Sequence, residues 1–179
     1  VKHTLVFNKY FGTDMYSIVF QEIREFRSLG YTAYSYFGYD YLNRKPGFLF
    51  GFLGTQSDKT NEGIEVFHNL ITDMPERMEK FNASKDALIL SRASDYISFR
   101  DIPSNVNTWL EMGYKNDPRQ ATTEIIKKTE YKDVYEFYKK NVADRPVIIM
   151  MSGNKKKIDM KALGKFGNVK ELKYKEIFK

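Results

Sequence analysis

The sequence predicts an α+β fold, with a mixed or antiparallel sheet of about four strands and a layer of helices on one face. Three observations support this class. Apolar residues recur at three- and four-residue intervals after Gly12, alternate after Gly30, and return to helical spacing after Ser57. No repeat, low-complexity tract or linker divides the chain, so residues 1–179 are predicted to form a single domain.

The first predicted helix follows Gly12. Thr13 or Asp14 is expected to cap its start, and Gly30 is expected to occupy the left-handed position just past its end. The apolar residues that share one face of this helix are Met15, Ile18, Val19, Ile23 and Phe26. Such a face packs against a core, so this segment is expected to be buried along one side.

A β-hairpin is predicted next. Residues 31–39 alternate in a β-branched and aromatic pattern, and residues 48–53 form a nearly continuous apolar run. The polar stretch between them, residues 40–47, is expected to be the loop.

The remaining predicted elements are helices, followed by two further strands. A helix after Ser57 is expected to bury one face, made of Ile64, Phe67, Leu70 and Ile71. Further helices are predicted at residues 76–97, 104–112, 134–142 and 160–166. A short buried strand is predicted at residues 146–151 and an edge strand at residues 169–174. These two strands and the hairpin account for the expected sheet.

The formal charge of +6 is concentrated at the end of the chain. Residues 155–179 contain nine lysines and three acidic residues, whereas the other 20 basic and 20 acidic side chains cancel. The lysines alternate with apolar residues, which is typical of a solvated edge and not of a nucleic-acid interface. No apolar run approaches the ~20 residues of a membrane span, and no signal peptide is recognisable.

Most catalytic chemistry is excluded by composition. Cysteine is absent, and the two histidines, His3 and His68, are 65 residues apart with no second histidine near either. No metal site is therefore predicted in this chain. The stretch Gly54–Thr60 lacks the second glycine of a phosphate-binding loop, so a plain strand-to-helix connection capped by Ser57 or Asp58 is expected.

One stretch carries a more specific pattern: residues 10–31, YFGTDMYSIVFQEIREFRSLGY. Gly12 precedes the predicted helix, the helix contains a Val-Phe pair and an Arg-Glu pair, and Leu-Gly-Tyr follows it at residues 29–31. This pattern resembles the domains downstream of the zinc site in pitrilysin/insulinase-type metallopeptidases. Residues 147–154 and 157–169 are similar, more weakly, to the last strand, turn and helix of such a domain.

The resemblance implies a C-terminal, non-zinc domain of a zinc metalloendopeptidase that acts on peptides. The inverted zinc motif of the family, His-x-x-Glu-His, is absent, since Asn69-Leu70-Ile71-Thr72 follows His68. The resemblance thus implies that this chain binds no cofactor and is inactive alone, with zinc carried by an N-terminal half or a partner subunit. The chain is interpreted as a fragment of a longer protein, with one or more strands preceding Val1.

The resemblance implies functional roles for two residues. In active members the arginine of the Arg-Glu pair and the tyrosine of Leu-Gly-Tyr hold substrate and stabilise charge at the scissile carbonyl. Here these residues are Arg24 and Tyr31, seven positions apart. An arginine and a phenol are suitable donors to a developing oxyanion. The alternative is purely structural: Arg24 pairs with a nearby carboxylate and Tyr31 packs on the hairpin.

The same resemblance leaves a second function open, because the family includes catalytically inactive subunits that serve assembly or partner binding. The expected partners are a peptide and the zinc-bearing half, with a dimer compatible and nucleic acid not expected. The parent is placed in the periplasm or cell envelope of a bacterium by the resemblance, with the cytoplasm as the alternative.

Overall fold

The computed structural model describes residues 3–40 and 45–177 and is an α+β fold. A helix α1 (Thr4–Phe11) precedes α2 (Ile18–Phe20), which continues as a π-helix (Gln21–Glu25), and a hairpin of β1 (Gly30–Asp40) and β2 (Lys45–Thr55) follows. The later helices are α3 (Thr60–Thr72), α4 (Met78–Ala93), α5 (Ile102–Glu111), α6 (Arg119–Lys128), α7 (Tyr131–Asn141), α8 (Met160–Leu163) and α9 (Tyr174–Ile177).

The predicted hairpin is confirmed. β1 and β2 are antiparallel, with Ala33 opposite Leu53 and Phe37 opposite Leu49. Alternation places these residues on the face that packs against the helices, where Ala33 and Phe37 are each 3% exposed. The middle of the predicted loop, residues 41–44, lies outside the described residues.

The other face of the hairpin is a ladder of aromatic side chains. Tyr34 lies opposite Phe52 with ring centroids 5.5 Å apart, and Tyr36 lies opposite Phe50 at the same separation. Phe48, opposite Gly38, extends the ladder and is 60% exposed. Part of the high aromatic content of the chain is therefore on the surface, where it favours strand pairing rather than filling the core.

The outer edge of β1 is covered by the segment that precedes it. The Phe37 N–H donates to Asn8 Oδ1 at 2.7 Å, and Asn8 Nδ2 donates to the Phe37 carbonyl at 3.0 Å. The Ser35 N–H donates to the carbonyl oxygen of Gly12 at 3.0 Å. The end of α1 thus satisfies backbone groups that would otherwise form an open sheet edge.

Gly12 is required at this crossing because a Cβ there would overlap the side-chain and carbonyl oxygens of Ser35. We expect Gly12→Ala to lower the free energy of unfolding by about 1–3 kcal/mol, the usual range for overpacking. Urea denaturation followed by circular dichroism measures this. Gly164→Ala is the control, since a Cβ at Gly164 meets no atom within 4 Å. An equal loss in both variants would contradict the proposed clash.

The core is built around α1, which is buried on most of its surface. Phe7 is fully buried; its ring stacks on that of Phe11 with centroids 5.3 Å apart and contacts the tilted ring of Phe137 of α7 at 5.1 Å. The other large core residues come from α2, the π-helix, β1, α3, α4, α6 and α7: Ile18, Val19, Ile23, Phe37, Phe67, Leu70, Phe81, Ile126, Val134 and Tyr138. The helices and the inner face of the hairpin therefore share one core.

The first predicted helix is only partly correct. Its regular portion begins at Ile18, and Ser17 caps it by accepting from the Phe20 N–H, so neither Thr13 nor Asp14 is the cap. Met15 and Phe26 are 66% and 63% exposed, because the segment begins later than its periodicity suggests and then widens into a π-helix. The residue with positive φ after it is Ser28, at 50°, and not Gly30, which begins β1.

The sheet is smaller than predicted. In the described part of the chain it has two strands, so the expected four-strand count is not confirmed. Residues 146–151 and 169–173 form no strand, and Ile148 and Met150 are 86% and 87% exposed. Apolar, β-prone residues are not sufficient to make a strand, because a strand also needs a partner edge.

The helical part of the chain follows the prediction more closely. Helices are present near each predicted position, with α4 shorter at both ends than residues 76–97 and α7 beginning three residues before residue 134. The predicted short helix at residues 160–166 is α8 followed by a 3₁₀ turn. Helix α6 was not expected from the sequence, because it has a single buried apolar residue, Ile126, in a polar stretch.

Two buried tyrosines fix the connection between α3 and α4. The Tyr138 hydroxyl donates to the Thr72 carbonyl at 2.5 Å and accepts from the Met74 N–H at 3.2 Å. The Tyr10 hydroxyl donates to the Pro75 carbonyl at 2.7 Å and accepts from a backbone N–H at 3.0 Å. The two phenols hold residues 72–77 against the core.

Burial raises the pKa of Tyr10, Tyr131 and Tyr138 above the usual phenol value. The folded state therefore keeps these protons to higher pH than the unfolded chain. Their contribution to stability is complete below about pH 10 and is lost as the pH rises through the raised values.

We expect the free energy of unfolding to fall above about pH 10, by up to ~1.4 kcal/mol per pH unit for each of the three tyrosines. Urea titrations between pH 8 and pH 11.5 measure this slope. Tyr131→Phe should make the slope shallower, whereas Tyr96→Phe should not, since Tyr96 is 84% exposed. An identical slope in both variants would contradict the role of burial.

Candidate functional site

Arg24 lies in the π-helix (Gln21–Glu25), one turn before the chain turns into β1. The Phe26 N–H donates to the Gln21 carbonyl at 2.9 Å, a bond across five residues that marks the wider turn. Ile23 in the same turn is fully buried and fixes the segment to the core. The Arg24 side chain, the next along the helix, is 37% exposed and reaches the surface.

Tyr31 is placed by a tight turn after this helix. Ser28 adopts a left-handed conformation, and its carbonyl accepts from Lys59 Nζ at 3.1 Å. The Leu29 N–H donates back to the Ile23 carbonyl at 3.0 Å. Tyr31 then falls at a register irregularity at the start of β1 and is 80% exposed. The turn directs its side chain back towards the π-helix.

The structure brings Arg24 and Tyr31 together. The guanidinium carbon of Arg24 lies 4.8 Å from the centroid of the Tyr31 ring and 4.8 Å from that of Phe20, which is four residues earlier. Both distances are within cation–π range. The two rings hold the arginine in one orientation at the surface, which a long flexible side chain does not adopt by itself.

The donors of this pair remain available to a ligand. Arg24 Nε lies 3.5 Å from Glu25 Oε1, a surface ion pair in which the two side chains are 37% and 47% exposed. In the described part of the chain the Tyr31 hydroxyl has no hydrogen-bond partner. The pair can therefore offer guanidinium and phenol N–H and O–H groups to a carboxylate or a polarised carbonyl.

Sequence reasoning named Arg24 and Tyr31 but not Phe20, which orients the arginine. A signal for it was present, because an aromatic residue four positions before an arginine on a helix is placed to contact it. The purely structural alternative, in which Arg24 pairs with a carboxylate, is also partly met, since Arg24 lies close to Glu25. Tyr31, however, stacks on the arginine instead of packing on the hairpin.

The two histidines occupy separate places. His3 Nδ1 lies 3.0 Å from Thr129 Oγ1, whereas the His68 ring contacts Phe166 with centroids 5.3 Å apart. Across residues 3–40 and 45–177, no group of three or more His, Asp or Glu side chains is arranged to hold a metal ion.

The segment after β2 is a strand-to-helix connection, as predicted. Residues 57–59 form a 3₁₀ turn, and Lys59 Nζ donates a hydrogen bond to the Ser28 carbonyl. The expected cap is wrong, because neither Ser57 nor Asp58 makes a side-chain capping bond in the described structure; the Thr60 hydroxyl instead donates to the Gln56 carbonyl at 3.3 Å.

A groove lies beside β2, away from the Arg24–Tyr31 pair. It has a volume of about 990 Å³ and is bounded by β2, by α3 and by residues 141–153. Neither Arg24 nor Tyr31 lines it. The described part of the molecule thus has a polar surface site at one end of β1 and an apolar groove beside β2.

The C-terminal lysines are exposed, and some are paired. Lys155 contacts Glu171, and Lys165 Nζ lies 2.7 Å from Glu65 Oε2 on α3. Within the described residues, no helix is both long enough and apolar enough to cross a lipid bilayer.

Comparison with known families gives one match. Residues 3–88, just under half of the chain, match the family model described as the peptidase M16 inactive domain. This range contains α1, the π-helix, the hairpin and α3, and it therefore includes both Arg24 and Tyr31. No curated protein matches the sequence. The match confirms the resemblance to a C-terminal, non-zinc domain of the pitrilysin/insulinase type.

Proposed function

Because residues 3–88 match the family model described as the peptidase M16 inactive domain, we propose that this chain is the substrate-contacting, non-zinc domain of a zinc metalloendopeptidase. Zinc and the attacking water are supplied by a separate half that carries the His-x-x-Glu-His motif. This chain alone is inactive, and its part is to hold the peptide.

The observation that carries the proposal is the ordered Arg24–Tyr31 pair. The guanidinium is fixed between two rings at 4.8 Å from each, and the neighbouring phenol is exposed. Donors that are already oriented before substrate binds can stabilise charge that develops on a carbonyl oxygen, without a reorganisation cost. A surface loop of similar composition without the aromatic clamp would offer the same groups in many orientations.

The test is a reconstitution. The purified chain is mixed with the zinc-bearing half of its parent, and cleavage of an internally quenched peptide is followed by fluorescence. We expect the chain with added zinc to be inactive, the zinc-bearing half alone to be slow, and the mixture to be fast. Full activity of the zinc-bearing half alone would contradict the proposal, as would the absence of the motif from both the parent and its partners.

A second candidate function is favoured by the aromatic ladder on the hairpin. An inactive member of the family could serve as an assembly subunit, and exposed Tyr and Phe side chains are typical of protein interfaces. In that case the chain would bind its partner with an affinity that Tyr36→Ala and Phe52→Ala weaken, whereas Arg24→Ala would have no effect. Isothermal titration against the zinc-bearing half separates the two functions.

A further inference from the structure

The free edge of β2 is the first of two unpaired walls around the 990 Å³ groove. Ser35 and Phe37 turn their backbone groups away from β2, towards Gly12 and Asn8. In an antiparallel ladder, the residues directly opposite such a pair also turn outward. Leu49 and Gly51 therefore point their N–H and C=O groups into the groove, where no described residue pairs with them.

The second wall is the segment of residues 146–151. Its side chains alternate in exposure: Ile148 and Met150 are 86% and 87% exposed, whereas Val147, Ile149 and Met151 are 44%, 42% and 40% exposed. This period of two is that of a β-strand, although the segment has no strand partner in the described structure. The wall is a strand-like segment that faces an unpaired strand edge across the groove.

Both ends of this second wall are anchored. Val142 and Ala143 are each 3% exposed at the end of α7. At the other end, Asn61 of α3 donates to the Asp159 carbonyl at 2.8 Å and accepts from the Asp159 N–H at 3.1 Å. The segment that forms the second wall is therefore attached to the rest of the fold at both of its ends.

The two walls run in the same direction. The end of α7 at Asn141 lies beside Tyr39, next to the start of β2, and a Cβ at Gly153 would lie 4.0 Å from Ser57, just past the end of β2. A strand that lies between two parallel walls and runs opposite to them can form antiparallel pairs with both. Antiparallel pairing is slightly the more stable arrangement per residue.

The lining defines the chemistry of the occupant. Ile64, Phe67 and Ile71 of α3 form the floor, and no aspartate or glutamate among the described residues lines the groove. Within residues 3–40 and 45–177, the arginine or lysine that lines the groove is Arg145, beside Pro146. Apolar side chains with neutral or acidic ends suit this surface, whereas a basic segment does not.

The geometry also selects a single strand over a second copy of this domain. In a second copy, the free edge belongs to β2, which carries β1 along its other side. A two-stranded ribbon cannot enter a groove that is closed on both sides. An isolated extended segment fits, and its backbone supplies the donors and acceptors that the open edge of β2 lacks.

We infer that this groove binds one extended, apolar strand of another polypeptide, which pairs in the antiparallel direction with β2 and with residues 146–151. The inference rests on the groove alone and is independent of the role of Arg24 and Tyr31. Binding converts the two-stranded hairpin and the unpaired segment into a continuous four-stranded sheet.

The probe is a fluorescein-labelled peptide of alternating valine and threonine with a glutamate at each end, acetylated and amidated at its termini. Fluorescence polarisation with the 179-residue chain should show saturable binding. The same peptide with N-methyl groups on alternate amides keeps its side chains but loses donors on one edge, and it should bind at least about tenfold more weakly. Hydrogen exchange should show the Leu49 and Gly51 amides protected only when the unmodified peptide is present.

Two neighbouring positions give a matched pair of variants. Ile149 and Ile148 both border the groove, but Ile149 is 42% exposed and Ile148 is 86% exposed. Ile149→Asp places a carboxylate at the more buried position and should weaken binding at least about tenfold, whereas the Ile148→Asp carboxylate can remain in solvent and should weaken binding much less. Arg100→Ala, which lies outside the groove and outside the Arg24–Tyr31 pair, should leave peptide affinity unchanged. Peptide affinity is measured on this chain alone and cleavage on the reconstituted peptidase, so failure of the proposed catalytic role is distinguishable from failure of this site.

Four results would overturn the inference. These are no saturation at millimolar peptide, equal affinity for the N-methylated peptide, equal losses in the Ile149 and Ile148 variants, and protection of the Leu49 and Gly51 amides without peptide. In the last case, dependence on protein concentration would indicate a second copy as the occupant. Independence of concentration would indicate that residues 146–151 close onto β2 themselves.

Discussion

Replacing Phe7 with alanine is expected to lower the free energy of unfolding by about 3–5 kcal/mol. Phe7 is fully buried in α1, and its ring contacts those of Phe11 and Phe137 at 5.3 and 5.1 Å. Removing the Phe7 ring leaves a cavity between α1 and α7, two helices that are distant in the sequence and are joined here by the Phe7–Phe137 contact. Urea denaturation monitored by circular dichroism measures the loss.

Phe26→Ala is the matched control for this prediction. Helical periodicity assigned Phe26 to the buried face, but its side chain is 63% exposed. The control should therefore change the free energy of unfolding by less than about 1 kcal/mol. If Phe26→Ala costs as much as Phe7→Ala, the placement of the first helical segment is wrong.

Arg24→Ala and Tyr31→Phe are each expected to lower kcat/KM of the reconstituted peptidase by about 100-fold, the loss typical of an oxyanion donor. Arg24→Ala removes a charged donor held between two rings, and Tyr31→Phe removes the exposed hydroxyl while keeping the ring that orients the arginine. If the donors act mainly in the transition state, kcat falls and KM changes little. Steady-state cleavage of the quenched peptide measures both constants.

The controls use the same residue types elsewhere on the surface. Arg100 contacts the Phe99 ring at 5.4 Å, and Tyr96 is 84% exposed, so Arg100→Ala and Tyr96→Phe reproduce the chemical change away from the pair. These variants should retain the original kcat/KM. Unchanged turnover in both Arg24→Ala and Tyr31→Phe would reject the catalytic role and leave the assembly function.

The hairpin could be predicted from the sequence because its information is local. Alternation from residue 31 to 39, a polar interruption and a second apolar run define two strands and their order. The inner and outer faces differ little in hydrophobicity, however, so the sequence did not show that Tyr34, Tyr36 and Phe48 would be exposed. That outcome depends on where the helices pack.

Residues 146–151 show the limit of such reasoning. Their composition favours a buried strand, yet no described strand pairs with them. Propensity describes how well side chains fit a pleated surface, but it does not supply the neighbouring edge. Helix α1 was missed for a different reason: its buried residues Val6, Phe7, Tyr10 and Phe11 do have helical spacing, but eight residues repeat that spacing over little more than one turn.

The candidate site was predictable in part. The resemblance of residues 10–31 to a known family named Arg24 and Tyr31, and the structure places them in contact. Their orientation depends on Phe20 and on the left-handed turn at Ser28, which no spacing rule identified. Serine rarely adopts positive φ, so the sequence favoured the neighbouring glycine for that position.

The π-helix at Gln21–Glu25 makes the site sensitive to chain length. A π-turn contains one residue more than an α-turn, and each residue of a helix advances its side chain by about 100°. Deleting a single residue there would restore an ordinary helix and rotate Phe20 relative to Arg24 and Tyr31. The aromatic clamp would then open although all three residues were still present. In this segment the count of residues matters as much as their identity.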